Sequence, residues 1–188
     1  MSLEVMPDFQ IGSSSHCRTR VWEQAKSMPL ASFGEEPRLK TSGLAIVLSD
    51  VLEDIHEMEG AYRIYKEGFM QMFNGSTKDE GSRSTDSLQL LNVAERMRAI
   101  SIAYKLGELS HELQKSLAEE EKWLVWSVEA LLKTVLQGSP AGSKIAGSIS
   151  DMSDLVGELG LPSWAMLHDF AAPFEALGSF YARTGNVR

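Results

Sequence analysis

The stretch Phe174-Glu175-Ala176-Leu177-Gly178-Ser179-Phe180-Tyr181, followed by Gly185, decides how this chain is read. An aromatic residue, Leu-Gly three and four positions on, and Tyr three further place these side chains along one side of a helix. Gly178 has no β-carbon and lets a second helix come close to that side. The stretch reads as the first helix of a helix-turn-helix repeat. The same plan occurs twice upstream. Ala45, Leu48, Ser49 and Leu52 take the aromatic, Leu, Gly and Tyr places, and Ala61, Tyr65 and Gly68 follow in the next helix. From Ala103, Leu106-Gly107 repeats the Leu-Gly pair and Ser110 takes the Tyr place. Trp123, Leu124, Ser127 and Val128 then belong to a second helix after one inserted residue, with Glu120 where a small residue is expected.

Spacing of this kind opens tetratricopeptide (TPR) repeats. The fold expected is all-α, with TPR-like antiparallel helical hairpins stacked as a short solenoid and an incomplete last repeat. The starts at Ala45, Ala103 and Phe174 are 58 and 71 residues apart (103 less 45, 174 less 103), against about 34 in a standard array. The extra length is a polar loop at 74–87 and a Gly/Ser-rich stretch, Gly138-Ser139-Pro140-Ala141-Gly142-Ser143. No segment alternates apolar and polar residues long enough to predict a strand.

Residues 1–41 contain Pro7, Pro29, Pro37 and Ser13-Ser14-Ser15 and read as an irregular or disordered segment with a short helix near Val21 to Met28. Residues 42–188 read as the repeat domain. Its first helix, Ser42 to His56, carries an apolar stripe of Leu44, Val47, Leu48, Val51, Leu52 and Ile55. A second runs from Met58 to Phe73, and Asn92 caps a third that ends near Leu113. A fourth spans Ser116 to Leu136, and a shorter piece, Ser150 to Leu159, precedes the last.

At 188 residues, with 43% hydrophobic and 23% charged residues, the composition is that of one globular domain. A net charge of -8 and a pI near 5.0 argue against a nucleic-acid partner, which requires a clustered Lys/Arg footprint. Cys17 is the single cysteine, so no intramolecular disulfide forms. No apolar run reaches the roughly 18 residues of a membrane span, and Glu4 and Asp8 precede any basic residue, unlike a presequence.

No catalytic, cofactor or metal site is read. His16, His56, His111 and His168 are dispersed, and His111-Glu112-Leu113-Gln114-Lys115 lacks the second His of a zinc-protease helix. Glu119-Glu120-Glu121 fan around a helix instead of converging, and Ser139, Ser143 and Ser148 lack a His and acid at catalytic spacing. Trp123, Trp126 and Trp164 are expected to pack between helices.

Arg38-Leu39-Lys40-Thr41-Ser42-Gly43-Leu44-Ala45-Ile46, Ile102-Ala103-Tyr104-Lys105-Leu106-Gly107-Glu108-Leu109, Glu121-Lys122-Trp123-Leu124 and Pro173 to Tyr181, in that order, resemble the fungal mitochondrial TPR proteins that serve as adaptor subunits of the inner-membrane i-AAA protease. The resemblance runs from Pro37 to the end. It implies a non-enzymatic adaptor presenting substrates to a membrane-bound ATP-dependent protease on the intermembrane-space side. It also implies a presequence and a membrane helix ahead of the repeats, neither of which is read in this chain. The alternative is a general soluble TPR scaffold with cytosolic protein partners. A helical-bundle enzyme, the third class, would need a convergent polar cluster.

TPR geometry assigns the concave side to the first helix of each pair. There the outward positions are Ile46, Asp50, Glu53 and Asp54, then Tyr104, Glu108, His111 and Glu112. Chaperone-tail-binding TPR proteins place Lys, Arg and Asn at such positions, so this acidic groove is expected to take basic or extended partners and not acidic tails. The competing expectation is that these acids only solvate the helices. The open last repeat, with Phe174, Leu177 and Tyr181 partly uncovered, is expected to self-associate or leave a mobile C-terminus.

Overall fold

Turns with one common geometry set how the helices pair. The computed structural model describes residues 12–73, 85–138 and 167–185. Its helices are α1 (Gly12–Ser27), α2 (Pro37–Asp54), α3 (Met58–Met72), α4 (Val93–Glu112), α5 (Leu117–Gly138) and α6 (Leu167–Thr184), with short 3-10 helices at Leu30–Phe33 and Thr85–Leu90. After α2, His56 turns into the left-handed region (φ 62°). Its N–H donates to the Glu53 carbonyl (2.8 Å), and that of Glu57 donates to Leu52 (2.8 Å). After α4, Gln114 does the same (φ 51°): its N–H reaches the His111 carbonyl (3.0 Å), and that of Lys115 reaches Ser110 (2.9 Å). This is a Schellman-type stop that satisfies the last carbonyls and reverses the chain. Gly185, after α6, is also left-handed (φ 70°). His56, Gln114 and Gly185 each lie eleven positions beyond Ala45, Ala103 and Phe174.

Between the turns, small residues let antiparallel helices touch. A β-carbon on Gly68 of α3 would lie 2.6 Å from the Ala45 β-carbon of α2. The Ser49 hydroxyl donates to the Ala61 carbonyl (3.2 Å) in the same seam. A β-carbon on Gly107 of α4 would lie 2.5 Å from Leu124 Cδ2 of α5. The seam residues Ala45, Ser49, Leu52, Ala61, Tyr65, Gly68, Ala103, Leu106, Gly107, Ser110, Trp123, Leu124, Ser127 and Val128 are all buried. The two hairpins meet because α3 packs on α4 and α2 on α4, while α6 packs on α5 and α4.

The hairpins join through aromatic rings. Phe69 of α3 meets Trp123 and Trp126 of α5 edge-on, with centroids 5.2 and 4.8 Å away. Trp123 Nε1 donates to the Tyr62 hydroxyl (3.2 Å), which donates to Glu119 Oε1 (2.6 Å). Asn92 caps α4 in a capping box with Glu95. The structure is all-helical among the described residues, and none of these helices is long and apolar enough to cross a membrane.

Several expectations are corrected. The short helix read near Val21 to Met28 is the second half of a longer one, Gly12–Ser27, and α2 begins at Pro37, inside the segment otherwise read as irregular. Trp22 is the reason: its ring is buried in the core and its Nε1 donates to Glu67 Oε2 (2.6 Å), while Pro37 suits a first helical turn. Val47, placed in the apolar stripe, is 59% exposed, because α2 turns its small face (Thr41, Ser42, Ala45, Ser49) to the core. The expected loop at 74–87 gives way to a 3-10 helix from Thr85, anchored by buried Leu88. Pro7, residues 74–84, the Gly/Ser-rich stretch from Ser139, Ser148, the Ser150 to Leu159 piece and Trp164 lie outside the described residues, as do the side chains of His16 and Cys17.

Two predictions follow from the packing. Gly68→Ala is expected to cost about 1–3 kcal/mol, because the clashing atom is a β-carbon fixed to the backbone of α2. Gly43→Ala, with open space around the site, is expected to stabilise by about 1 kcal/mol, and urea midpoints of both variants test the contrast. The second concerns acid. The hydrogen bond from Tyr62 lowers the Glu119 pKa below 4.5, and Lys66 and Lys115 lower it further. At Glu67 burial opposes ionisation, yet Lys26 and Trp22 outweigh it and the pKa again falls below 4.5. A carboxylate depressed on folding adds stability above its unfolded pKa and loses it as pH falls through the folded value. Urea midpoints are therefore expected to decline below about pH 4.5, and less steeply in Glu119→Gln.

Candidate interaction face

α2, α4 and α6 lie side by side, since α4 packs against both of the others. Their outward residues form one face. Asp50 and Glu53 come from α2. Tyr65 of α3 reaches across and donates its hydroxyl to Asp50 Oδ1 (2.5 Å). On α4, Tyr104 donates to Glu108 Oε1. Lys105 bridges the helices, with Nζ 3.3 Å from Glu53 Oε2 and 3.4 Å from Glu108 Oε2.

The phenols and the lysine hold the carboxylates in place. Burial, then the hydrogen bond to Asp50 and the charge of Glu53, push the Tyr65 pKa far up. Burial, then Glu108 and the more distant Glu175, do the same for Tyr104. Both phenols stay protonated, and their hydrogen bonds orient the Asp50 and Glu108 side chains. Burial disfavours the Lys105 ammonium, but Glu53 and Glu108 outweigh it and hold its pKa above 10.5. Lys105 thus stays charged, and it offsets part of the acid around it.

The acids of α2 and α4 share one register, which α6 does not keep, since Ser179 and Arg183 stand five and nine positions beyond Phe174. Asp50 and Glu108 stand five positions beyond Ala45 and Ala103, and Asp54 and Glu112 stand nine beyond. Asp54 and Glu112 are the last residues of α2 and α4, and both are exposed. A carboxylate there opposes the helix dipole and costs about 0.3–1 kcal/mol. Tyr104 and Glu175 occupy the place of Ile46 in the later helices.

The predicted residues separate into groups. Asp50, Glu53, Tyr104 and Glu108 are joined through Tyr65 and Lys105. Asp54 and Glu112 flank them at the helix ends. Ile46 is partly buried and packs on the core, so it is not an open groove residue as expected. His111 belongs to a different cluster, with Nδ1 3.8 Å from Glu120 Oε2 and Nε2 3.4 Å from Arg183 Nη1. Lys105 and Glu175 were missed. Carrying the register of Ile46 and Tyr104 into the last helix would have found Glu175, whereas Lys105 reaches the face through a long side chain that spacing does not reveal.

The Glu120 cluster ties α6 in place. Glu120, the residue that breaks the repeat pattern, is only 4% exposed and is ion-paired with Arg183 of α6. Among the described residues no group of three or more His, Cys, Asp or Glu side chains is placed to hold a metal ion. Comparison with protein-family models, with curated proteins and with solved structures finds no match.

Arg183→Met would leave Glu120 buried without its guanidinium. The expected loss is about 1–3 kcal/mol, below that of a fully buried pair because Arg183 is partly exposed. Hydrogen-exchange mass spectrometry should show faster exchange in α6 while α2 and α3 keep their protection.

Proposed function

We propose that this chain is a non-enzymatic protein-interaction adaptor, a short TPR-like solenoid whose α2, α4 and α6 form the binding side. Support for the TPR-like reading comes from the tandem hairpins, their shared turn geometry and the row of first helices. The observation that carries the binding reading is the recurrence of Asp50 with Glu108 and of Asp54 with Glu112 on that row. Acids that only solvate a helix have no reason to keep the repeat's register, or to sit at C-terminal ends where the dipole disfavours them.

The partner suited to this face is a basic, extended polypeptide segment. Its Lys or Arg side chains would meet the oriented carboxylates of Asp50 and Glu108, and its apolar groups would meet Tyr104. The resemblance to the adaptor subunits of the i-AAA protease supplies the setting proposed for it: delivery of substrates at the intermembrane-space side of the mitochondrial inner membrane. A general scaffold with cytosolic partners is the second reading, and the same acidic face serves it equally.

The test combines Asp50→Lys with Glu108→Lys and measures binding of Lys/Arg-rich and Asp/Glu-rich unstructured peptides by fluorescence anisotropy. The expected result is that the wild-type chain prefers the basic peptide and that the double reversal weakens it at least tenfold. Unchanged affinity overturns the assignment of this face. Affinity purification from separate mitochondrial and cytosolic fractions then distinguishes the settings, since the adaptor reading requires recovery of an inner-membrane AAA protease from the mitochondrial fraction.

A further inference from the structure

The acidic face holds a cation of its own. Lys105 Nζ lies between acids of two neighbouring helices, 3.3 Å from Glu53 Oε2 of α2 and 3.4 Å from Glu108 Oε2 of α4. Burial works against its charge, and Glu53 and Glu108 outweigh it. The hold is loose in geometry. Both contacts exceed the roughly 2.7–2.9 Å of a short charge-assisted hydrogen bond. The lysine side chain is 38% exposed, and ion pairs so placed add little net stability. Glu53 is left incompletely satisfied, because its Oε1 is buried and has no hydrogen-bond partner. At Glu108, Tyr104 takes Oε1, and Lys105 stands at the oxygen that remains. Packing does not require a cation here. The same place in the repeat, two positions beyond Ala45 and Phe174, is Val47 in α2, which is 59% exposed, and Ala176 in α6.

We propose that Lys105 is a built-in competitor of the partner: its ammonium fills the position between Glu53 and Glu108 that a cationic side chain of the basic segment takes, and binding displaces it. This rests on the reading of the face as the binding side. A lysine suits the role, since its long stem lets the ammonium move into water while the backbone of α4 stays in place. Displacement selects among partners. A lysine of the partner exchanges one ammonium for another and gains nothing at this position. An arginine brings a planar fork with five donors, which can engage both oxygens of one carboxylate or span two carboxylates. With Lys105 gone, Glu53 can meet such a fork with both oxygens. The face therefore favours Arg-rich over Lys-rich segments, and its affinity for either rises when position 105 loses its charge.

Fluorescence anisotropy with Arg-rich, Lys-rich and Asp/Glu-rich unstructured peptides tests the proposal on the full chain and on Lys105→Met, Lys105→Gln and Lys122→Met. Each variant removes one positive charge, and Lys122 is exposed on α5, outside the row of α2, α4 and α6. The wild-type chain is expected to bind the Arg-rich peptide more tightly than the Lys-rich one. Both Lys105 variants are expected to bind the basic peptides about five- to tenfold more tightly, with circular dichroism spectra like that of the wild type, and Lys122→Met to change binding by less than about twofold. Lys105 variants that bind basic peptides no better, or more weakly, overturn the proposal and leave the binding side standing. So does an equal gain in Lys122→Met, which reports net charge alone, or equal wild-type affinity for the Arg-rich and Lys-rich peptides. A chain that prefers no basic peptide over the acidic one, with Lys105 or without it, overturns the binding side and the proposal together.

Discussion

The close approach of α3 to α2 at Gly68 and Ala45, repeated between α4 and α5 at Gly107 and Leu124, is the constraint on which the structure depends. Helix axes normally stand 8–10 Å apart, and at Gly68 and Gly107 the space a β-carbon would fill is already taken by the neighbouring helix. Each seam sets a glycine against its neighbour, Gly68 against Ala45 and Gly107 against the Leu124 side chain, and aromatic side chains of α3 and α5 make contacts between hairpins. Phe69 meets Trp123 and Trp126, which belong to a different hairpin, and Tyr62 reaches Glu119. A side chain at position 68 would push α3 outward and pull Phe69 away from both tryptophans.

The turns reinforce this arrangement at some cost. His56 and Gln114 adopt a left-handed conformation that glycine takes freely, as Gly185 does at the corresponding place. Holding non-glycine residues there costs about 1 kcal/mol each. Burial of Leu52 and Ser110, whose carbonyls close the two turns, offsets it. Sequence spacing, turn geometry and helix contact thus agree on one register, and the acids of α2 and α4 follow it too.

Much of the fold was legible because small residues at fixed spacing mark a seam more sharply than hydrophobicity does. Ala45, Ser49, Ala103 and Gly107 were identified that way, whereas the apolar stripe wrongly enlisted Val47. The stripe erred because α2 buries Thr41, Ser42 and Ser49, which satisfy their hydroxyls on nearby carbonyls and so need no solvent. Helix α1 was legible only in its second half, near Val21 to Met28, because Trp22 and Ala25 are what pack an otherwise polar stretch on the core. Within the candidate face, positions fixed by helical register were readable, and Lys105 was not. The ion pair of Glu120 with Arg183 joins residues 63 positions apart and has no local signature.

The most direct test of the account is to measure nuclear Overhauser effects in the isotopically labelled chain across the two hairpin seams. The account predicts strong contacts from the Ala45 methyl to the Gly68 α-protons and from the Leu124 methyls to those of Gly107. Seams whose cross-peaks are missing, in a chain that is otherwise fully helical by circular dichroism, would contradict it and remove the basis for a repeated architecture.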